Sequence, residues 1–144
     1  MKLKHLILAT AFAAHAVFAQ SARPTDDTLY QQLGGQPGLV KLTDDFMVRL
    51  LADPRMKPFF VDTDQKVFKS QLADQICEVS GGPCKFKGKD MKKVHEGQDI
   101  TKSNFNALVE VLQQSMDAQG IPFSAQNKLL AQLAPMHREI VNAP

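Results

Sequence analysis

The chain has 144 residues, with seventeen Lys and Arg against fifteen Asp and Glu, four His, two Cys, one Tyr and no Trp. That length suits one domain with one core rather than two, and a formal charge of only +2 makes nucleic acid a poor partner. The apolar stretch at residues 6–19 is shorter than the ~20 residues a membrane span needs and is interrupted by His15.

Lys2 and Lys4 precede that stretch, and Val17-Phe18-Ala19 has the small-x-small form of a cleavage site. Residues 1–19 therefore read as a cleaved secretory signal, which places the mature protein in the periplasm without a membrane attachment. Cleavage removes two of the seventeen basic side chains and none of the acidic ones, so the mature chain is formally neutral. It also removes His5 and His15, leaving His95 and His137 for any histidine chemistry. Residues 20–27 are polar, contain Pro24 and have no apolar period, so they read as a flexible leader to a domain at 28–144.

A short helix is predicted from Thr28 to Leu33, stopped by Gly34-Gly35, and a second over residues 37–52 with Pro37 in its first turn. The second places Val40, Phe46, Met47 and Leu50 near one stripe, with Lys41, Asp44, Asp45 and Arg49 largely off it. Pro54 and Pro58 bracket a tight connection ending in Phe59-Phe60. Asp62 or Asp64 then caps a helix reaching about Ser80, its inner face Phe68, Leu72, Gln75, Ile76 and Val79.

Gly81-Gly82-Pro83 ends that helix. A loop with lysines at 85, 87, 89, 92 and 93 follows, and a brief helical turn over residues 90–96 puts Met91 and His95 on one face. Thr101 caps the clearest helix, with Phe105, Leu108, Val109, Leu112 and Met116 at helical spacing up to Gly120. The last helix starts near Ser124, shows Leu129, Leu130, Leu133, Met136 and Ile140, and is expected to bend at Pro135. With no convincing strand run and no repeat, the class is all-α.

Cys77 and Cys84 are an even pair in a chain read as exported, which favours a structural disulfide over redox sensing. Zinc is disfavoured by so few, widely spaced ligands. No cysteine stands in a Cys-x-x-Cys-His arrangement, so haem attached in that way is excluded. Neither a Ser-His-Asp or thiol nucleophile nor a Gly-rich phosphate loop has support. Two readings of His95 stay open on local residues: a surface or capping histidine at the end of a short turn, or an axial haem ligand through a neutral imidazole nitrogen. His137 reads as a surface residue.

Several segments occur together in order: Leu29-Tyr30-Gln31-Gln32-Leu33-Gly34-Gly35, Phe46 with Leu50-Leu51-Ala52-Asp53, Phe59-Phe60, Gly81-Gly82-Pro83, and Met91-Lys92-Lys93-Val94-His95-Glu96-Gly97 with Ile100-Thr101. Jointly they resemble the group I truncated haemoglobins over nearly the whole mature chain. The resemblance implies a two-over-two helical sandwich around a non-covalent haem b, with His95 as the proximal iron ligand. It implies Phe60 flat against the haem and Met91 on the proximal face. Phe46, Phe68, Leu72, Gln75, Phe105, Leu108, Val109, Leu112 and Leu133 become haem-wall or plain core positions. Lys89, with Lys92 or Lys93, becomes a partner for the haem propionates, the alternatives being a solvated face or a dock for an acidic redox partner.

The chain departs from that family where it often has a distal tyrosine, because Met47 occupies the position. Phe68 and Leu72 occupy positions that often carry glutamine or leucine, leaving Gln71 and Gln75 as the nearest polar candidates. Loss of one donor hydrogen bond to a partly charged oxygen costs ~1.5–3 kcal/mol, about one or two powers of ten in affinity. The expected function is reversible binding of O2, NO or CO in an unusually apolar distal pocket, with weakened O2 binding; nitric oxide dioxygenation is put in doubt. The alternative is a haem electron carrier or peroxidase-like protein with an internal sixth ligand, Met47, Lys69 or Gln71, and a haem-free helical binding module is a third class.

Overall fold

The computed structural model describes residues 28–144. The signal expected at 1–19 and the leader expected at 20–27 lie outside the described residues. Within them the chain forms eight α-helices and one 3-10 turn: α1 Thr28–Gln32, α2 Gly35–Ala52, α3 Lys57–Phe60, α4 Gln65–Val79, α5 Met91–His95, α6 Lys102–Ala118, α7 Phe123–Leu133, the 3-10 turn Ala134–Met136 and α8 His137–Ile140. The four long helices carry the architecture, α2 packing on α4 and α6 while α7 packs on α4 and α6. This is the expected two-over-two sandwich.

The buried stripe of α2 runs through Leu39, Leu42, Thr43, Phe46, Met47 and Leu50, a helical spacing that turns one face to both partners. Leu39, Leu42 and Leu50 are completely buried, each contributing about 1.5–3 kcal/mol of transfer free energy. Val40, expected on this stripe, is exposed, because it lies one residue, or 100°, from Leu39. The helix also begins two residues earlier than expected. Gly34 and Gly35 both take positive φ, which lets the chain reverse after α1 and start α2 without a linker.

In place of the expected tight connection ending in Phe59-Phe60, the chain forms α3 with Pro58 in its first turn, where the missing N–H costs nothing. Asp64, not Asp62, caps α4 by accepting a hydrogen bond from the Val67 amide at 3.0 Å. α6 begins with a reciprocal cap, Thr101 and Asn104 each accepting from the other's backbone amide. At the α6–α7 corner, Gln126 donates to the Asp117 carboxylate at 2.7 Å and to the Ile121 carbonyl at 3.0 Å. Pro135 sits inside the 3-10 turn, so the last helix is interrupted there rather than merely bent.

Cys77 and Cys84 form a disulfide with their Cα atoms 5.7 Å apart. Gly82 lies between this bridge and the Tyr30 ring, where an added Cβ would come within 2.6 Å of the Cys77 sulfur. Tyr30 also donates its amide to the Ser80 carbonyl. The end of α4, the bridge and α1 are thereby locked into one corner, from which the lysine-rich loop departs toward α5.

Candidate cofactor site

Helices that meet at four long crossings leave space between them when large side chains splay apart, and here that space is a cavity of about 490 Å3. Its volume falls in the ~300–1,000 Å3 range of small-molecule and cofactor pockets. Phe68, Gln71, Leu72 and Gln75 of α4 form one wall; Phe105, Leu108, Val109 and Leu112 of α6 face it. Phe46 of α2, Phe60 of α3, Met91, Val94 and His95 of α5, and Leu130 and Leu133 of α7 complete the lining. Phe60 and Phe68 meet edge to face with ring centres 5.2 Å apart, which steadies both rings at the cavity wall.

On α4 and α6 the apolar residues divide between core and cavity. On α6 the residues packed into the core are Ala107, Val111, Leu112, Ser115 and Met116, while Phe105, Leu108 and Val109 are half-buried and point to the cavity. On α4, Ala73, Ile76 and Cys77 are core, and Phe68, Leu72 and Gln75 are half-buried cavity residues.

α5 has five residues, and Asp90 caps it by accepting from the Lys93 amide. His95 stands at its last position, half-buried on the cavity wall. Its Nδ1 lies 2.7 Å from the Met91 carbonyl oxygen. A carbonyl only accepts, so Nδ1 carries the proton and donates it. In the neutral ring Nε2 then keeps its lone pair, the arrangement of a histidine prepared to ligate a metal. The bond to the Met91 carbonyl is one a capping histidine makes, and the free Nε2 on the cavity wall is what an axial ligand needs, so both readings fit this geometry.

Gln75 reaches Met91 Sδ at 3.6 Å and Met136 Sδ at 3.4 Å, so its amide is turned toward thioethers. Gln71 is exposed at the wall. Tyr30, the chain's one tyrosine, is buried in the corner with Gly82 and does not face the cavity. Lys89 lines the rim and is exposed, whereas Lys92 and Lys93 are exposed but do not line it.

Three expectations need correction. Met47 does not line the cavity: it is 2% exposed within the core, on the α2 face one residue round from Phe46. Lys69 pairs with Asp44 at 2.7 Å and borders a separate shallow hollow with Gln36 and Thr43. His137 is not a surface residue; its ring packs edge-on to Phe105 at 4.9 Å, and its Nε2 is buried without a hydrogen-bond partner.

Other lining residues escaped notice. Met56 and Phe59 belong to a segment read as a connection, and Val94 sits between the two residues singled out on α5. Met136 and Ile140 were visible as an apolar continuation of the last helix, which passes from core to cavity across Pro135. Arg55 holds the α2–α3 connection in place, bonding Asp53 at 2.8 Å and Glu110 of α6 at 2.7 Å. The Arg55 guanidinium, through its side-chain hydrogen bonds and then its amide, holds the Asp53 carboxyl below its ordinary value.

An apolar cavity lined by phenylalanines, with one imidazole offering Nε2 and an exposed lysine among its lining residues, suits a largely apolar cofactor bearing a metal and carboxylates. Residues 28–142 match the bacterial-like globin family. A group 1 truncated hemoglobin of Tetrahymena pyriformis is 32% identical over 101 residues, covering 70% of this chain and 84% of that protein. The crystal structure of truncated hemoglobin from Tetrahymena pyriformis in its Fe(III) form superposes with TM-score 0.76 at 27% identity, covering 79% of this chain and 97% of that one. The 2/2 hemoglobin of Synechococcus sp. PCC 7002, solved in the cyanomet state with covalently attached heme, gives TM-score 0.73 at 25% identity, covering 79% and 98%. The chain belongs to the bacterial-like globin family, and within it to the group 1 truncated haemoglobins, which are haem-binding globins.

Proposed function

We propose that this chain is an exported, periplasmic haem protein that binds diatomic gases, O2, NO or CO, at an iron carried by His95. The observation that carries the reading is the His95 ring, locked by its Nδ1–H bond to the Met91 carbonyl at 2.7 Å with Nε2 free beside the cavity. Bound haem would supply the iron, which His95 would hold and to which a diatomic gas would bind.

The residues of the chain divide the remaining work. Phe60, Phe68, Leu72, Phe105, Leu108 and Leu112 would keep water off a bound haem, and the exposed Lys89 would offer a cation to its carboxylates. Phe46, Met91 and Gln75 complete the pocket. The distal side is apolar in this reading: Phe46, Phe68 and Leu72 line it, and Gln71 and Gln75 are the nearest amides. O2, which draws charge from the iron, gains little hydrogen bonding here, and its affinity is expected about one to two powers of ten below that of relatives with a donor. CO and NO are less affected, and nitric oxide dioxygenation is correspondingly disfavoured.

Haem b is held without a covalent link in this reading, so acidified ketone extracts it fully. The lysines of the loop at 85–93 offer a basic edge at which an acidic reductase docks. The experiment that tests the function is the absorption spectrum of the reduced protein with and without CO. A Soret band that moves on CO addition supports an open gas site. No Soret band after haem addition leaves a helical binding module, and a band indifferent to CO leaves an electron carrier or peroxidase-like protein closed by an internal ligand. Neither Met47 in the core nor Lys69 in its ion pair favours that last alternative.

A further inference from the structure

A helix of five residues does not hold itself together, because nucleation fixes several dihedrals for each hydrogen bond gained. α5 is such a helix, and it carries His95 at its C-terminal end. Its N-terminus is capped by Asp90. Past its C-terminus the chain turns sharply through Gly97 at φ 75° and Asp99 at φ 51°, two residue types that accept the left-handed region. Within its own segment, the His95 carbonyl receives only the Gln98 amide at 3.3 Å.

What closes this end comes from the far end of the chain. The Asn142 side-chain amide donates to the His95 carbonyl at 2.7 Å, and its carbonyl oxygen accepts from the Ile100 amide at 2.7 Å. The backbone amides of Asn142 and Ala143 both donate to the Ile100 carbonyl, at 3.0 and 3.1 Å. One side chain therefore spans both ends of the 95–100 turn, 47 residues away in sequence from His95. The segment that delivers it is itself anchored: His137 packs on Phe105 and Ile140 lines the cavity.

The geometry points to Asn142 as a positioning residue for the iron ligand, a C-terminal clasp that supplies the helix cap α5 lacks and holds the His95 backbone, and hence its imidazole, in register with the cavity. The inference rests on His95 being the ligand. It assigns a role to the last residues of the chain, which touch neither the gas nor the distal wall. Because Ile100 is bound by two backbone amides and one side-chain oxygen, the bond to His95 can be removed separately.

Asn142→Asp keeps an acceptor for the Ile100 amide but has no N–H for the His95 carbonyl and sets a carboxylate oxygen against it; Asn142→Ala removes both bonds. The test is resonance Raman of the ferrous holoprotein in the iron–histidine stretching region, with amide hydrogen exchange at Ile100 and the rate of haem loss. Both variants are expected to bind haem, to shift or broaden the iron–histidine band, and to lose haem about two- to tenfold faster, the range one hydrogen bond supports. Ile100 exchange is expected to quicken in Asn142→Ala and to stay near wild type in Asn142→Asp. A band unchanged in both variants, or restored in Asn142→Asp, overturns the proposal. An iron–histidine band that survives His95→Ala overturns it by a different route, by removing the ligand assignment on which it stands.

Discussion

Replacing Cys84 by Ser opens the Cys77–Cys84 bridge with the least collateral change. Cys84 is half-buried, so a serine hydroxyl there finds water, while the fully buried Cys77 remains as a small apolar thiol in its own space. The bridge joins residues seven apart, and closing a loop of about eight residues removes roughly 2.5 kcal/mol of chain entropy from the unfolded state. With unfolding entropy near ~2.1 cal/mol/K per residue, a domain of ~115 residues changes its Tm by roughly 10 °C for that loss. Thermal denaturation of Cys84→Ser against wild type, followed by far-UV dichroism, measures it, and a thiol count on unfolded wild-type protein checks the starting state. The iron spectrum is expected to stay as in wild type, because the bridge holds the α4 corner rather than the cavity wall. A variant melting within ~2 °C of wild type would refute the entropy reasoning, and two free thiols in wild-type protein isolated from an oxidising compartment would remove its premise.

Other expected outcomes follow from single contacts. His95→Ala abolishes the native ferrous spectrum, and His137→Ala leaves it in place while lowering stability by about 1–2 kcal/mol through the lost ring contact with Phe105; reversed spectral results would exchange the roles of the two histidines. Leu72→Gln puts an amide on the distal wall and raises O2 affinity by roughly tenfold or more while changing CO affinity little; O2 and CO titrations of the ferrous protein would show an equal change in both if the amide did not reach the gas. Ser115 is fully buried with an unpartnered hydroxyl, so Ser115→Ala leaves the denaturation midpoint unchanged or raises it, by up to ~1–3 kcal/mol of relieved desolvation. Arg55→Ala removes the partner that holds Asp53 below 3.8. A depressed carboxylate contributes stability above its unfolded pKa and loses it as pH falls through the folded one, so the variant's deficit is expected at neutral pH and shrinks below about pH 3.8. A deficit independent of pH in urea titrations would assign Arg55 a packing role instead.

The helices were legible because their punctuation is chemical. Gly34-Gly35, Asp64, Gly81-Gly82 and Thr101 each mark a boundary through a φ or a cap that few other residues supply. The two sides of α4 and α6 were harder to separate, since an apolar side chain facing a cavity for an apolar cofactor satisfies the same periodicity as one facing a helix. Phe105 and Met116 occupy equivalent positions in the pattern yet serve opposite purposes. α3 escaped notice because two prolines read as breakers, although a proline in a first turn starts a helix as readily as it ends one. His137 misled for a related reason: Arg138 and Glu139 beside it are exposed, and neighbours in sequence say little about which face of a helical turn a residue takes.

Met47 shows where resemblance and geometry diverge. A relative's tyrosine at this position suggests a side chain turned to the gas, and substituting methionine then suggests either a lost donor or a thioether ligand. In this fold the α2 backbone sends Phe46 to the cavity and Met47 into the α2 core beside Leu50. Phe46 and Met47 stand about 100° apart on α2, and here the first lines the cavity while the second packs in the core. A tyrosine at position 47 would have to leave that core position to reach the gas. The apolar distal side therefore belongs to the packing of α2 as well as to the identity of one residue. Met47→Tyr alone is expected to disturb the core more than it restores a donor, and Leu72, already on the wall, is the position from which a single substitution can do so.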